Sequence, residues 1–367
     1  MKRVIIFGGC GFLGSWIAKV LLKKTYLITI FDLKIQKNLL NSILDKDVEK
    51  IKFVEGDITD YEQVHEAVKC VDQVINLAGL MTPDCSAKPI LGAQVNILGS
   101  INVFEALKQN NNKFLVYASS AGVFGQKNKY FPFPETHYGA YKLAVEGIAR
   151  AYFNENKISS IGIRPYVLYG PGREVGGTAG VTLACKAAKQ GFNFDISFSG
   201  KAGFVYVEDV TDIVEMSLDK CLSGALTINI NGITTDVKNI ISTIKKHIPN
   251  ANIGLDINPL RIVEEILGEE PSEYFENFKY TSLEVGIKKT IDFYGTIFLL
   301  LPTCVLIIIS SFKYVITSIL LLESSKEAGG LPILYILKTY ILLMAIMLIL
   351  QAISEVIKNS KGKNKKC

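Results

Sequence analysis

Lys2-Arg3-Val4-Ile5-Ile6-Phe7-Gly8-Gly9-Cys10-Gly11-Phe12-Leu13-Gly14 decides the reading of this chain. Lys2–Phe7 is a short apolar run of β-branched and aromatic residues, which predicts a buried strand. An amphipathic helix through Lys24 is predicted after the glycines. Gly9, Gly11 and Gly14 match G-x-G-x-x-G, and Gly8, Gly11 and Gly14 give a second spacing, G-x-x-G-x-x-G. Glycines between a strand and a helix allow a tight turn and a close approach of backbone to a diphosphate. The positive end of the helix then faces the phosphates. Leu27–Phe31 reads as the second strand and ends at Asp32, 18 residues after Gly14. A carboxylate there can accept from both adenosine-ribose hydroxyls and repels a 2′-phosphate, which favours NAD over NADP.

Outward from this unit, strands are predicted at Ile51–Val54, Gln73–Leu77, Phe114–Ala118 and Ser160–Ile163, with helices at Tyr61–Lys69, Ile90–Gln109 and Tyr138–Glu155. Alternating strands and helices imply an α/β fold: a doubly wound parallel sheet covered on both faces. After Gly170 the pattern loosens into Gly- and Pro-rich loops with shorter elements. The predicted organisation is a dinucleotide-binding core over 1–170, a small substrate-binding lobe with returning core elements over 171–293, two transmembrane helices over 294–358 and a basic tail over 359–367.

His137-Tyr138-Gly139-Ala140-Tyr141-Lys142 puts Tyr138 and Lys142 one helical turn apart on one face. A nearby ammonium favours phenolate, so the tyrosine pKa is expected to fall from its usual value of about 10. Tyr141 has no lysine at that offset. The Ser119-Ser120 pair follows a predicted strand. With the glycine turn, these features point to nicotinamide redox chemistry at a hydroxyl or ketone.

Residues 1–293 resemble the extended short-chain dehydrogenase/reductases, in the NAD-dependent epimerase/dehydratase branch. The ordered segments are Gly56-Asp57-Ile58, Asn76-Leu77-Ala78-Gly79, Val95-Asn96, Tyr117–Gly125, Arg164-Pro165, Tyr169-Gly170-Pro171-Gly172, Phe204–Val210 and Thr281–Gly286. The resemblance implies a Rossmann fold that binds NAD through Gly8, Gly11, Phe12, Leu13, Gly14, Asp32, Asp57, Ile58, Leu77, Ala78, Gly79, Asn96, Tyr138, Lys142 and Pro165. It implies Tyr138 as general acid/base, Lys142 on the nicotinamide ribose, and Ser120, in preference to Ser119, on the reacting oxygen. Ala121 and Gly122 stand where sugar 4,6-dehydratases carry an Asp-Glu pair, so water elimination is not expected. Val167 replaces an asparagine usual in nucleotide-sugar enzymes. Arg164 and Arg173 are candidates for an anionic substrate. The expected function is an NAD-dependent epimerase or dehydrogenase acting on a sugar, sugar acid or nucleotide sugar. A homodimer is a further expectation.

Two apolar stretches, Tyr294–Leu322 and Leu331–Ser354, each hold a single charge (Lys313 and Lys338), and each is long enough to span a bilayer. The alternative is a pair of buried core helices. Glu323–Gly330 would make a hairpin connection. The net charge of +5 is concentrated by five lysines from Lys358 onward, which argues against a nucleic-acid partner and, by the positive-inside tendency, places that end in the cytoplasm. The expected location is a cytoplasmic catalytic domain anchored in the inner (plasma) membrane, both termini cytoplasmic. The tail, through Ile291–Pro302, Glu323–Ser325, Gly329–Ile333 and Leu348–Glu355, resembles half of the small membrane subunit of TRAP-type transporters. That resemblance implies TRAP-type subunits as partners. It also carries the alternative reading, a transporter component with an NAD-binding sensory or scaffold domain. Seven cysteines without a Cys-x-x-Cys pair predict reduced thiols, and no metal-ligand spacing involves the three histidines.

Overall fold

A computed structural model describes residues 1–296, 301–325 and 333–361. Twelve strands follow in chain order: β1 Arg3–Phe7, β2 Leu27–Asp32, β3 Lys52–Glu55, β4 Gln73–Asn76, β5 Phe114–Ala118, β6 Ser159–Pro165, β7 Val167–Tyr169, β8 Phe194–Ile196, β9 Lys201–Tyr206, β10 Ala225–Ile230, β11 Ile233–Asp236 and β12 Ile253–Leu255. Seven form one sheet in the order β10-β6-β5-β4-β1-β2-β3, parallel at every pairing. This is the doubly wound Rossmann arrangement. The strand order reverses between β1 and β4, where such sheets bind ligands at their carboxyl ends. The sheet is dry on both faces, as a helix-covered parallel sheet must be: Val4, Ile5, Ile6, Phe7, Val74 and Ile75 are fully buried.

The lobe after Gly170 is not continuous in sequence. β10 returns to the main sheet, while β7, β9 and β11 form a second sheet and β8 and β12 a third. The helix Leu283–Gly295 closes the soluble part. Its Tyr294 is buried, and the phenol oxygen accepts from the Gly172 amide at 3.1 Å and donates to Glu174 Oε1 at 2.9 Å. The expected boundary at 293 therefore falls inside the core, and Tyr294 belongs to the catalytic domain.

The helix expected over Ile90–Gln109 runs from Pro89, but it contains a π-turn at Gln94–Leu98. Period alone does not show this. The wider turn is held by Asn96, whose Nδ2 donates to the Gly92 carbonyl at 3.0 Å and the Leu80 carbonyl at 3.2 Å. Such turns are frequent at functional sites.

Among the described residues, three helices are long and apolar enough to cross a membrane: Pro89–Gln109, Pro302–Leu320 and Leu334–Gln351. The first is half buried in the α/β domain, whereas only 17% and 6% of the other two are buried. That exposure argues against two core helices, because a core helix buries more than one stripe of its surface. The helices Leu301–Leu320 and Leu334–Lys361 pack on each other. Lys338 Nζ reaches Glu323 Oε2 at 2.6 Å and lies 4.2 Å from the centre of the Tyr314 ring, so the one charge of the second stretch is paired. Leu306, Ile309, Phe312, Tyr340 and Met347 point outward. Gly329–Ile333 lies largely outside the described residues, as do 297–300 and the end of the basic tail, 362–367.

Candidate active site

The glycine turn is built by close packing. Gly8 has φ +72°, and a Cβ on it would stand 2.8 Å from the Ala78 amide nitrogen. A Cβ on Gly14 would stand 2.6 Å from Gly9 Cα. Both positions exclude any larger residue, and together they seat the helix Phe12–Lys23 on the ends of β1 and β4. Gly11 caps that helix without a side-chain bond, and no acidic residue occupies its first turn. The free backbone N–H groups and the helix dipole suit a diphosphate. Asp32, at the end of β2, accepts from the amides of Cys10 and Leu33, each at 2.9 Å, so its carboxylate is fixed beside the turn. These features fit NAD.

Tyr138 and Lys142 lie in the first turns of the helix His137–Asn156. Thr136 starts it, its hydroxyl accepting from the Gly139 amide at 3.0 Å. Ser120 opens the short turn after β5, and its Oγ accepts from the Gly122 amide at 3.0 Å; a Cβ on Gly122 would stand 3.3 Å from that oxygen and 3.8 Å from Tyr138 Cδ1, so the serine and the tyrosine border one space. Ser119 points the other way and donates to Glu146 Oε1 at 2.5 Å, buried. The two serines thus face different partners. Lys142 is 6% exposed; its Nζ donates to the Ala118 carbonyl at 2.8 Å and stands 5.6 Å from the Tyr138 ring centre. Gly79, one residue past the Ala78 that meets the glycine turn, brings the two halves together. A Cβ there would be 2.5 Å from Asn96 Oδ1 and 3.3 Å from Lys142 Nζ.

The electrostatics differ from the sequence expectation. Burial pushes the Tyr138 phenol up, opposed by Ser120 and by the charge of Arg173. Burial also pushes Lys142 down, to about 8. Removing both groups from water disfavours whichever form is charged. The spacing placed an ammonium on the correct face, but its nitrogen is turned to a carbonyl.

The remaining expected residues separate. Leu77, Ala78 and Gly79 lie where β4 ends: the Leu77 amide donates to the Phe7 carbonyl at 2.9 Å and the Ala78 amide to Asn76 Oδ1 at 3.1 Å. Phe12 and Leu13 open the nucleotide helix. Asp57 folds back on Thr59, accepting from its amide at 2.9 Å and its hydroxyl at 2.8 Å. Ile58 is buried under Gly99. Pro165 ends β6. Asn96 keeps a buried Oδ1 with no partner among the described residues.

Arg164 is held by acidic side chains. Its Nε and Nη2 each bond Glu146 at 2.7 Å, and Nη1 bonds Glu269 at 2.7 Å and Asn229 at 3.2 Å. It ties β6, β10 and the catalytic helix together, so the expectation of a substrate contact is corrected to a buried structural ion pair. The Arg173 guanidinium carbon lies 5.9 Å from the centre of the Phe12 ring. Two residues that bond Ser119 and Asn96 were missed. Glu146 had a signal, since Tyr138, Lys142 and Glu146 recur every four residues on one face. Cys85 had none; it is buried, and its Sγ accepts from Asn96 Nδ2 at 3.5 Å.

A glycine turn, a carboxylate at the end of β2 and a Ser-Tyr-Lys group at the carboxyl edge define a dinucleotide-dependent enzyme on a Rossmann fold. The chain belongs to the NAD dependent epimerase/dehydratase family, which matches residues 4–231, and its cofactor is NAD. It is 27% identical over 254 residues to a decarboxylating sterol-4-alpha-carboxylate 3-dehydrogenase of Candida albicans, covering 65% of this chain and 71% of that protein. It is 31% identical over 189 residues to a UDP-glucose 4-epimerase, so named provisionally, of Methanocaldococcus jannaschii, covering 48% and 60%. Among solved structures it resembles a UDP-N-acetylglucosamine 4-epimerase of Methanobrevibacter ruminantium, with TM-score 0.71, 22% identity and coverage of 80% and 98%. An L-threonine dehydrogenase of Clostridium difficile gives TM-score 0.68, 24% identity and coverage of 80% and 98%. At these identities the structures show the shared fold.

Proposed function

We propose that this protein oxidises and reduces a hydroxyl or keto group of a sugar, sugar acid or nucleotide sugar by reversible hydride transfer, as an epimerase or a dehydrogenase. The observation that carries the reading is the convergence of Ser120, Tyr138 and Lys142 on the edge of the sheet that bears the glycine turn, joined through Gly79. NAD, when bound, supplies the hydride acceptor. Tyr138 takes the proton from the substrate hydroxyl and returns it in the reverse direction. Ser120 donates to the same oxygen as charge develops on it. In this reading Lys142, buried and bonded to the Ala118 carbonyl, holds the nicotinamide ribose. Asp32 holds the adenosine ribose.

The outward-facing apolar hairpin supports anchoring in a bilayer with the catalytic domain on the cytoplasmic side. A transporter component that only senses NAD has no need of the serine, tyrosine and lysine together. The test is Tyr138→Phe. Loss of general acid/base catalysis lowers turnover by about 10²–10⁴-fold while NADH still binds, measured by fluorescence. Turnover within a few-fold of wild type refutes the assignment.

A further inference from the structure

Beside the active site the chain puts three aromatic rings into the open. Tyr130, Phe131 and Phe133 are 59%, 71% and 54% exposed. They belong to Lys127-Asn128-Lys129-Tyr130-Phe131-Pro132-Phe133, a stretch without an acidic residue. It lies between the turn opened by Ser120 and the helix that carries Tyr138. The loop is closed at its base: a Cβ on Gly125 would stand 2.3 Å from the Phe133 carbonyl oxygen, and one on Gly139 would stand 3.1 Å from Pro134 Cβ. Its tip is fixed as well. Asn128 Oδ1 accepts from the amides of Tyr130 at 2.8 Å and Phe131 at 2.9 Å. The Lys129 carbonyl accepts from the Leu267 amide at 3.0 Å. The rings are therefore displayed by a built loop. Lys127 Nζ lies 5.8 Å from the centre of the Phe133 ring, and Lys129 Nζ 5.4 Å from that of Tyr130. Lys201 joins these two lysines along a cleft that Glu264 and Glu265 also line. Grouped apolar rings in water cost free energy, and a fold keeps them where something covers them. Aromatic rings beside lysines suit the headgroup level of a bilayer, where the ring bodies leave water and the ammonium groups meet lipid phosphate.

The place of the loop in the fold favours that occupant. It follows β5, so it lies at the carboxyl edge of the main sheet. The chain leaves for the apolar hairpin from the same edge. The last helix of the soluble part ends at Gly295, and its Tyr294 phenol accepts from the Gly172 amide, which lies beyond the carboxyl ends of β6 and β7. We propose that the loop 127–133 docks on the bilayer that holds the hairpin. Tyr130, Phe131 and Phe133 sit among the headgroups and Lys127 and Lys129 against lipid phosphates, which holds the side of the active site bordered by Ser120 and Tyr138 at the membrane surface. This rests on the bilayer anchoring read from the hairpin and adds a second point of contact, one that fixes the orientation of the catalytic domain.

The experiment uses the full chain in vesicles of phosphatidylcholine and phosphatidylglycerol, with or without bromine on the acyl chains near the glycerol, and reads the quenching of tryptophan fluorescence. The unsubstituted protein supplies the background, since Trp16 is buried. Phe131→Trp probes the loop, and Tyr130→Trp is the second probe should the first misfold. Ile309→Trp, at an outward-facing position of the hairpin, is the positive control; Leu27→Trp, exposed at the amino end of β2, is the negative one. Brominated lipid is expected to quench Phe131→Trp several-fold more than Leu27→Trp, and the emission should shift to the blue. Adding Lys127→Glu and Lys129→Glu should bring the loop probe towards the Leu27→Trp level and leave Ile309→Trp unchanged. If Ile309→Trp is quenched while both loop probes stay at the Leu27→Trp level, the proposal is overturned and the anchor stands. Quenching in the loop that the two glutamates leave intact also overturns it, because the lysines then take no part in the contact. If Ile309→Trp is not quenched either, the anchoring reading fails and the proposal with it.

Discussion

Replacing Arg164 by methionine separates a structural arginine from a substrate-binding one. Glu146 is fully buried at its side chain and receives two bonds from Arg164, both at 2.7 Å, and one from Ser119. Methionine fills similar volume but leaves the carboxylate with the serine alone. Breaking a buried pair by removing one partner costs about 3–5 kcal/mol, because an uncompensated charge stays behind. For a domain of this size that corresponds to a drop of roughly 6–20 °C in the unfolding midpoint. The second variant, Arg164→Met with Glu146→Leu, removes both charges and should recover most of the loss. Thermal unfolding of the detergent-solubilised protein, followed by far-UV circular dichroism, measures both. If Arg164→Met leaves the midpoint within about 2 °C and instead raises the substrate KM, the ion-pair argument is wrong and Arg164 touches substrate after all.

Three further outcomes are expected. Lys142 titrates at about 8 in the folded protein against 10.5 for its ordinary value. Its lowered pKa means that the unfolded chain binds the extra proton between those limits, so the fold gains stability as pH rises from about 8 to 10.5, by about 3 kcal/mol in the limit. Denaturant melts of wild type and Lys142→Met across that range should converge towards the alkaline end. Asp32→Ala should lower the preference for NAD over NADP by about tenfold or more, read by fluorescence titration with NADH and NADPH. Expression of residues 1–296 should give a soluble, NAD-binding protein, whereas ending the chain at 293 removes Tyr294 and its bonds to Gly172 and Glu174. Size-exclusion chromatography and melting midpoints distinguish the two, and an aggregated 1–296 protein would place the hairpin within the core.

What the residue order determined alone was whatever acts over a few positions. The apolar run before Gly8, the glycine spacing, Asp32 at a strand end and the four-residue offset of Tyr138 and Lys142 are local, and local geometry dictates them. The two apolar stretches were equally plain, since length and charge suffice. Tertiary structure decided everything that depends on which distant groups share a space. It turned Ser119 to Glu146 and Ser120 to the Gly122 amide, drew Arg164 into a buried pair, put a π-turn at Asn96 and took Tyr294 into the core. It also reversed the expected direction for the phenol: a helix offset shows which face a lysine is on, but the protonation energy depends on water excluded by the whole fold and on Arg173, which is 35 positions away in sequence.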